Sequence, residues 1–194
     1  MNYSDLLKQR RSVRNFEERK VPIEVIKEII TESTYAPTAS NTQGWKYIIV
    51  NDRSVMKRIS DECKKSLLKR IENNPDDYAK RYEKLLMKED YNIFYNAPSV
   101  VFILGEKNYK NLMVDSALAA CYFMFSATSR GLGTCWINFA AVIDAIELLD
   151  ELKISENCQI VAPVVLGYPA KIPSMPKRKE PEILKVFDSL EDSG

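Results

Sequence analysis

A chain of 194 residues, 45% hydrophobic and 28% charged, is long enough to bury one core and short for two domains. Its 28 Lys and Arg against 27 Asp and Glu leave a net charge of +1, so bulk charge gives no argument for nucleic-acid binding. With no histidine, the chain cannot use Ser-His-Asp or Cys-His nucleophile schemes, His-based metal sites or histidine acid–base catalysis. Any chemistry falls to carboxylates, lysine, tyrosine or a cofactor.

Residues 3–9 place Tyr3, Leu6 and Leu7 at helical spacing. The N-terminal stretch is polar and charged, without a leader pattern, which sets the expectation of a cytoplasmic protein. Arg10-Arg11-Ser12-Val13-Arg14 then puts three guanidiniums and a hydroxyl where that helix ends. Guanidinium forks match phosphate oxygens bidentately; taken alone, the cluster also reads as a solvated basic turn. Residues 22–35, opened by Pro22, carry Ile23, Ile26, Ile29, Ile30 and Ser33 on an amphipathic helix. Residues 36–45 (APTASNTQGW) are small, hydroxyl- and amide-bearing, with Pro and Gly at the edges, and read as a loop. Residues 46–51 form the first strand. Asp52 or Ser54 caps the next helix, whose Met56, Ile59, Cys63, Leu67 and Ile71 share a face, and Asn73 to Asp77 break it. Residues 78–89 are weakly helical, and 91–95 are aromatic and irregular. Residues 99–105 follow Pro98 as a continuous apolar run, a strand buried on both faces.

Residues 111–130 carry the longest helical pattern, apolar almost all round from Leu112 to Ala127. A helix without a polar face must be covered on all sides. It therefore belongs at the centre of the core or is shared with a second copy, and its Ala and Ser residues allow close approach. Its most apolar run, 117–127, is too short to span a bilayer. Gly131 suits a left-handed C-cap. A third strand is expected over 134–139, a short helix over 144–152, and a fourth strand over 159–167 that Pro163 makes an edge or a bulged strand. From Tyr168 the chain becomes an extended, proline-punctuated tail with Lys177-Arg178-Lys179, ending in apolar Ile183 to Phe187. Such a tail docks on something, a neighbouring subunit among the candidates. Cys63, Cys121, Cys135 and Cys158 have no CxxC or metal-ligand spacing and read as buried reduced thiols.

The order α-α-β-α-α-β-α-β-α-β-tail permits an α/β or α+β sandwich. No G-x-G-x-x-G follows a strand, which argues against a Rossmann dinucleotide site. The basic clusters at 10–14 and 177–179 can bracket one anion or stand as two separate solvated patches.

RRSVRNF at 10–16, APTASNTQGW at 36–45, GLGTCWI at 131–137, and basic residues ahead of Pro181 and an apolar end occur in one register. In that pattern the whole chain resembles the FMN-dependent nitroreductase family. The resemblance implies an α+β fold of three-layer α/β/α type, with a central, mainly antiparallel sheet flanked by helices. It implies one FMN-binding domain over 1–194, with a C-terminal extension from about 168 docking on the partner of a homodimer and FMN at the subunit interface. By the same resemblance Arg10 and Ser12 serve the phosphate and ribityl chain, Arg14 the N1–C2=O edge of the ring, and Arg11 a contact or a support. Pro37, Thr38, Ala39 and Asn41 match the loop that reaches the flavin of the other subunit, with Gln43 and Trp45 as its scaffold. Trp136, Ile137 and Asn138 match the stretch whose backbone lies near N5, and Lys177 and Lys179 match the phosphate pair, with Arg178 beside them. Two departures stand out: Gly44 where many members have Pro, which suggests a looser loop, and Asn138 where many have Gly or Glu.

The implied activity is hydride transfer from transiently bound NAD(P)H through flavin N5 to a nitroaromatic, quinone or similar acceptor in ping-pong order. No metal and no catalytic side chain are implied. A non-catalytic flavin-binding or redox-sensing protein is the alternative, and Asn138 is what favours it. The physics is coherent: a phosphate of about −1.5 to −2 charge suits two basic clusters. A cation ~4 Å from N1 interacts at about 4 kcal/mol for a dielectric near 20. That corresponds to on the order of 90 mV, before desolvation and screening. Tyr91, Phe94, Tyr95 and Phe139 are possible pocket walls or plain core.

Overall fold

The computed structural model describes residues 2–187, folded about a four-stranded sheet of order β1-β2-β4-β3 in which every pairing is antiparallel. In chain order the elements are α1 (Tyr3–Gln9), α2 (Ile23–Ser33), β1 (Trp45–Val50), α3 (Arg53–Asn73), α4 (Glu83–Leu86), β2 (Ser99–Glu106), α5 (Leu112–Ser129), β3 (Gly133–Trp136), α6 (Ile146–Glu151) and β4 (Cys158–Gly167). Short 3-10 turns occupy Ala39–Asn41, Tyr78–Tyr82 and Asn138–Ala141. Asp52 is the cap of α3, its carboxylate accepting from the amides of Ser54 and Val55 at 2.8 and 3.0 Å.

The sheet is the middle of three layers. Side chains alternate across a strand, so Val100, Phe102 and Leu104 of β2 pack with Met56, Ile59, Cys63 and Leu67 of α3. Their neighbours Val101 and Ile103 pack on the other side with Ile26 and Ile29 of α2 and Ala119, Ala120 and Phe123 of α5. This double cover is why β2 reads as an unbroken apolar run.

Pro163 lies in a central strand, not an edge. The ladder between β2 and β4 slips by one residue at Ile103/Leu104, leaving Val161 unpaired beside it. The Pro163 carbonyl accepts from the Ile137 amide at 2.8 Å. An antiparallel pair normally exchanges two such bonds, and Pro163 has no N–H to return one. β3 therefore stops at Trp136, short of the expected 134–139, and the chain turns through Asn138–Ala141. Likewise α6 is shorter than the expected 144–152, and 78–89 is one 3-10 turn and one helical turn.

α5 settles the question its composition raised. Leu112, Asp115, Ser116, Ala119, Ala120, Phe123, Ser126 and Ala127 are buried, whereas Met113 and Val114 are 56% and 62% exposed and Leu118 and Tyr122 also face outward. The whole helix is long and apolar enough to match a membrane span by length and composition, with 44% of it buried in the fold. Gly131, just past its end, has φ +74. Residues 170–187 form no helix or strand and are exposed, including Ile183, Leu184, Val186 and Phe187. The expected C-terminal extension beyond 187 lies outside the described residues. All four cysteines are free thiols.

Candidate functional site

α1 ends at Gln9 with Arg10 as its C-cap, and the next residues lie along the outer edge of β3. Ser12 pairs with Thr134, and the Val13 amide donates to the Thr134 carbonyl at 2.9 Å. The chain then crosses to the end of β4, where Glu17 N–H donates to Tyr168 O and Ala170 N–H to Asn15 O. Val13 is buried, and it is seated by Gly133. A Cβ on Gly133 would lie 2.7 to 3.0 Å from three Val13 side-chain atoms, closer than real contacts allow. With Val13 turned inward, its neighbours Ser12 and Arg14 face the other way. Burial pushes the Cys135 thiol up, opposed first by the charge of Arg14, then by Ser12 and Arg10.

Beside this cluster is a cavity of about 240 Å³ that Arg14 shares with Cys135, Trp136, Ile137 and Asn138. Its opposite wall is aromatic: Tyr78, Tyr82, Tyr91, Tyr95 and Phe139. The Arg14 guanidinium lies 5.7 Å from the Tyr95 ring centre. Burial, with Tyr95 beside it, pushes the Tyr91 phenol up, so it stays a protonated donor. Asn138 Nδ2 donates to the Tyr78 hydroxyl at 3.3 Å. Phe94, by contrast, is wholly in the core. Thr134 Oγ1 is buried without a hydrogen-bond partner. Among the described residues, none of Arg10, Arg11, Arg14, Lys177 or Lys179 joins an ion pair. Arg14, unpaired at the cavity, offers a free guanidinium fork to an anion.

Pro37, Thr38, Ala39 and Asn41 are elsewhere. Their loop feeds β1, at the opposite edge of the sheet from β3, along which the arginine segment runs; three strand spacings, about 14 Å, separate those two strands. The loop is well held. Ser40, Asn41 and Gln43 adopt φ of +53, +53 and +51. Gln43 N–H donates to Thr38 Oγ1 at 3.2 Å, and Gln43 Nε2 to Asn41 Oδ1 at 3.0 Å. Ala39 N–H reaches the buried Asp115 carboxylate at 3.4 Å, which also accepts from Tyr109. The Tyr109 ring covers Gly44 so closely that a Cβ there would sit 2.8 Å from it. The glycine at this position thus makes room for an aromatic clamp, and the loop is not loosened by it. Lys177, Lys179 and Arg178 are on the exposed tail and touch neither cluster.

Asp115 and Tyr109 escaped sequence reasoning because Asp115 and Ala39 are 76 residues apart. The signal available was a lone carboxylate in an apolar helix, which must find a donor. The residues that wall the cavity, Tyr78 and Tyr82, were hidden in a weakly patterned segment.

Residues 7–168 match the model of the nitroreductase family. The nitrobenzene nitroreductase of Ectopseudomonas oleovorans is 24% identical over 201 residues, covering 84% of this chain and 85% of the relative. The iodotyrosine deiodinase of Thermotoga neapolitana is 26% identical over 175 residues, covering 85% and 87%. The crystal structure of a nitroreductase with bound FMN from Bacteroides fragilis superposes with a TM-score of 0.78 at 24% identity, covering 96% of this chain and 98% of the other, a likeness of fold.

Proposed function

The chain belongs to the nitroreductase family, and from that premise we propose that it is an FMN-dependent oxidoreductase. In this reading it works as a homodimer, takes reducing equivalents from NADH or NADPH, and passes them to a nitroaromatic, quinone or similar small acceptor in ping-pong order. FMN, when bound, supplies hydride acceptance and donation at N5. What supports the reading most is that Arg14, from the segment that carries Arg10 and Ser12 along β3, shares one cavity with Trp136, Ile137 and Asn138.

This donor set fits FMN. Arg10 and Ser12 would hold the phosphate and ribityl chain, with Arg11 as their support, and Lys177 and Lys179 would close the phosphate end once the exposed tail docks. Arg14 would serve the electron-rich N1–C2=O edge. The backbone of Trp136 to Asn138 would serve the N5 side, with the aromatic wall keeping water from it. One chain holds only half of this arrangement, because the loop of Pro37, Thr38, Ala39 and Asn41 is at the far sheet edge. A second copy supplies that loop. Two further features support the dimer: the outward Met113, Val114, Leu118 and Tyr122 of α5, and the open groove of about 810 Å³ along edge strand β1. That groove suits the extended tail of a second copy, whose end is apolar.

The test is steady-state oxidation of NADH and NADPH by the FMN-loaded protein with nitrobenzene or a benzoquinone as acceptor. Turnover with parallel double-reciprocal lines is expected. Retained flavin without acceptor-dependent turnover contradicts the enzyme reading and leaves a flavin-binding protein.

A further inference from the structure

We propose that the acceptor for this site is a planar aromatic carrying an anionic substituent, received in the cavity against the joint surface of Tyr78, Tyr82 and Phe139 with Arg81 as its counter-charge; the proposal rests on the FMN reading above.

The cavity has a flat aromatic wall. Tyr78 and Phe139 stack on each other with centroids 6.3 Å apart and planes 21° from parallel, and Tyr82 meets Phe139 edge-on at 5.2 Å and 78°, so the three rings make one packed surface. The hydrogen bond from Asn138 to the Tyr78 hydroxyl ties the turn to the strand side of the cavity. Arg81 stands at the rim. Its Nε donates to the Tyr78 carbonyl at 3.1 Å, and its guanidinium lies 5.4 Å from the Tyr82 ring centre. One edge of the fork is thus anchored, and its terminal amino groups have no hydrogen-bond partner among the described residues. An oxyanion bound there meets a positioned fork.

Charge points the same way. The cavity lining includes Arg14 and Arg81 and no carboxylate. The two acids flanking the turn are already engaged: Asp77 with Arg70 at 2.8 Å and Glu83 with Lys80 at 2.9 Å. With Arg14 committed to the flavin edge, Arg81 is the cation left for a second ligand. Aromatic walls around two like charges focus the field on an incoming anion.

A phosphate of the nicotinamide dinucleotide has the same oxyanion chemistry, so the test must separate the two sources. The probes are 4-nitrobenzoate and its uncharged methyl ester, titrated into the oxidised, FMN-loaded full-length protein by calorimetry and then mixed with its reduced form in stopped flow. Wild-type protein is expected to favour the carboxylate. R81Q should weaken 4-nitrobenzoate binding by about tenfold and spare the ester, with R81K between them. Equal binding of the two probes by the wild type overturns the proposal. So does an R81Q variant that keeps the preference and is slowed in its reduction by NADH or NADPH, which assigns the rim to the dinucleotide. A protein that retains no FMN is recognised by its lack of colour before any acceptor is added; it refutes the reading beneath, and this proposal with it.

Discussion

Arg14 carries the redox half of this account. A guanidinium at the flavin N1 edge favours the anionic reduced ring, so its removal lowers the midpoint potential. In the FMN-loaded protein Arg14→Ala is expected to fall by several tens of millivolts, within the ceiling of about 90 mV for a charge ~4 Å away. Arg14→Lys should keep part of that, since it retains the charge and loses the fork. Spectroelectrochemical titration reads both, and an unchanged potential in Arg14→Ala removes Arg14 from the ring edge. Glu32 is an independent, structural case. Arg130 donates to its carboxylate at 2.5 and 2.8 Å and Ser126 at 2.6 Å. These bonds, Arg130's first, hold it at about 2 against an ordinary 4.5, with burial opposing. A depressed carboxylate adds stability that is complete above its unfolded value and is lost as pH falls through the folded one. Glu32→Gln should therefore cost about 1 kcal/mol at neutral pH, the carboxylate being well exposed to solvent. The gap to wild type should close between about pH 4.5 and 2 in urea unfolding. Of these residues, the sequence pattern revealed Arg14 through a dense motif. It concealed Glu32, whose partners are 94 and 98 residues away.

At the scale of elements, the arginine segment is only as well placed as its seat on β3. Gly133→Ala would drive a Cβ into Val13, costing about 1–3 kcal/mol. It should also shift Arg10 through Arg14 together, so FMN affinity should drop more than stability loss alone explains. Thermal melts alongside flavin titration separate the two effects; unchanged FMN affinity would show that the seat does not set the site. The elements themselves were largely legible. Helical spacing located α2, α3 and α5, and the apolar runs located β2 and β4, because burial on one or two faces writes itself into local periodicity. What local pattern could not convey was pairing. Pro163 left an edge or a bulge equally open, and only the neighbouring β3 explains why the ladder tolerates it and why β3 ends at Trp136. The loop at 36–45 was legible as a loop, yet its anchors Asp115 and Tyr109 come from beyond β2.

At the scale of the molecule, the proposed site needs two copies of the chain. Its arginine cluster and its Pro37 to Asn41 loop are on opposite sheet edges, and α5 leaves Leu118 and Tyr122 uncovered. The all-apolar helix announced that something must cover it; the sequence did not say whether the cover was its own core, and the structure leaves half of it facing out. A charge placed at that face, as in Leu118→Glu, should break the dimer and release FMN together, with Phe123→Ala as a core comparison that costs about 3–5 kcal/mol. The most direct measurement is the visible spectrum of FMN-reconstituted protein after gel filtration, taken with its mass and then anaerobically with NADH or NADPH. The account expects a yellow species at twice the 22.3 kDa chain mass that bleaches with the nicotinamide and recovers its colour with acceptor. A protein that elutes without its flavin, or whose flavin colour no nicotinamide discharges, contradicts it.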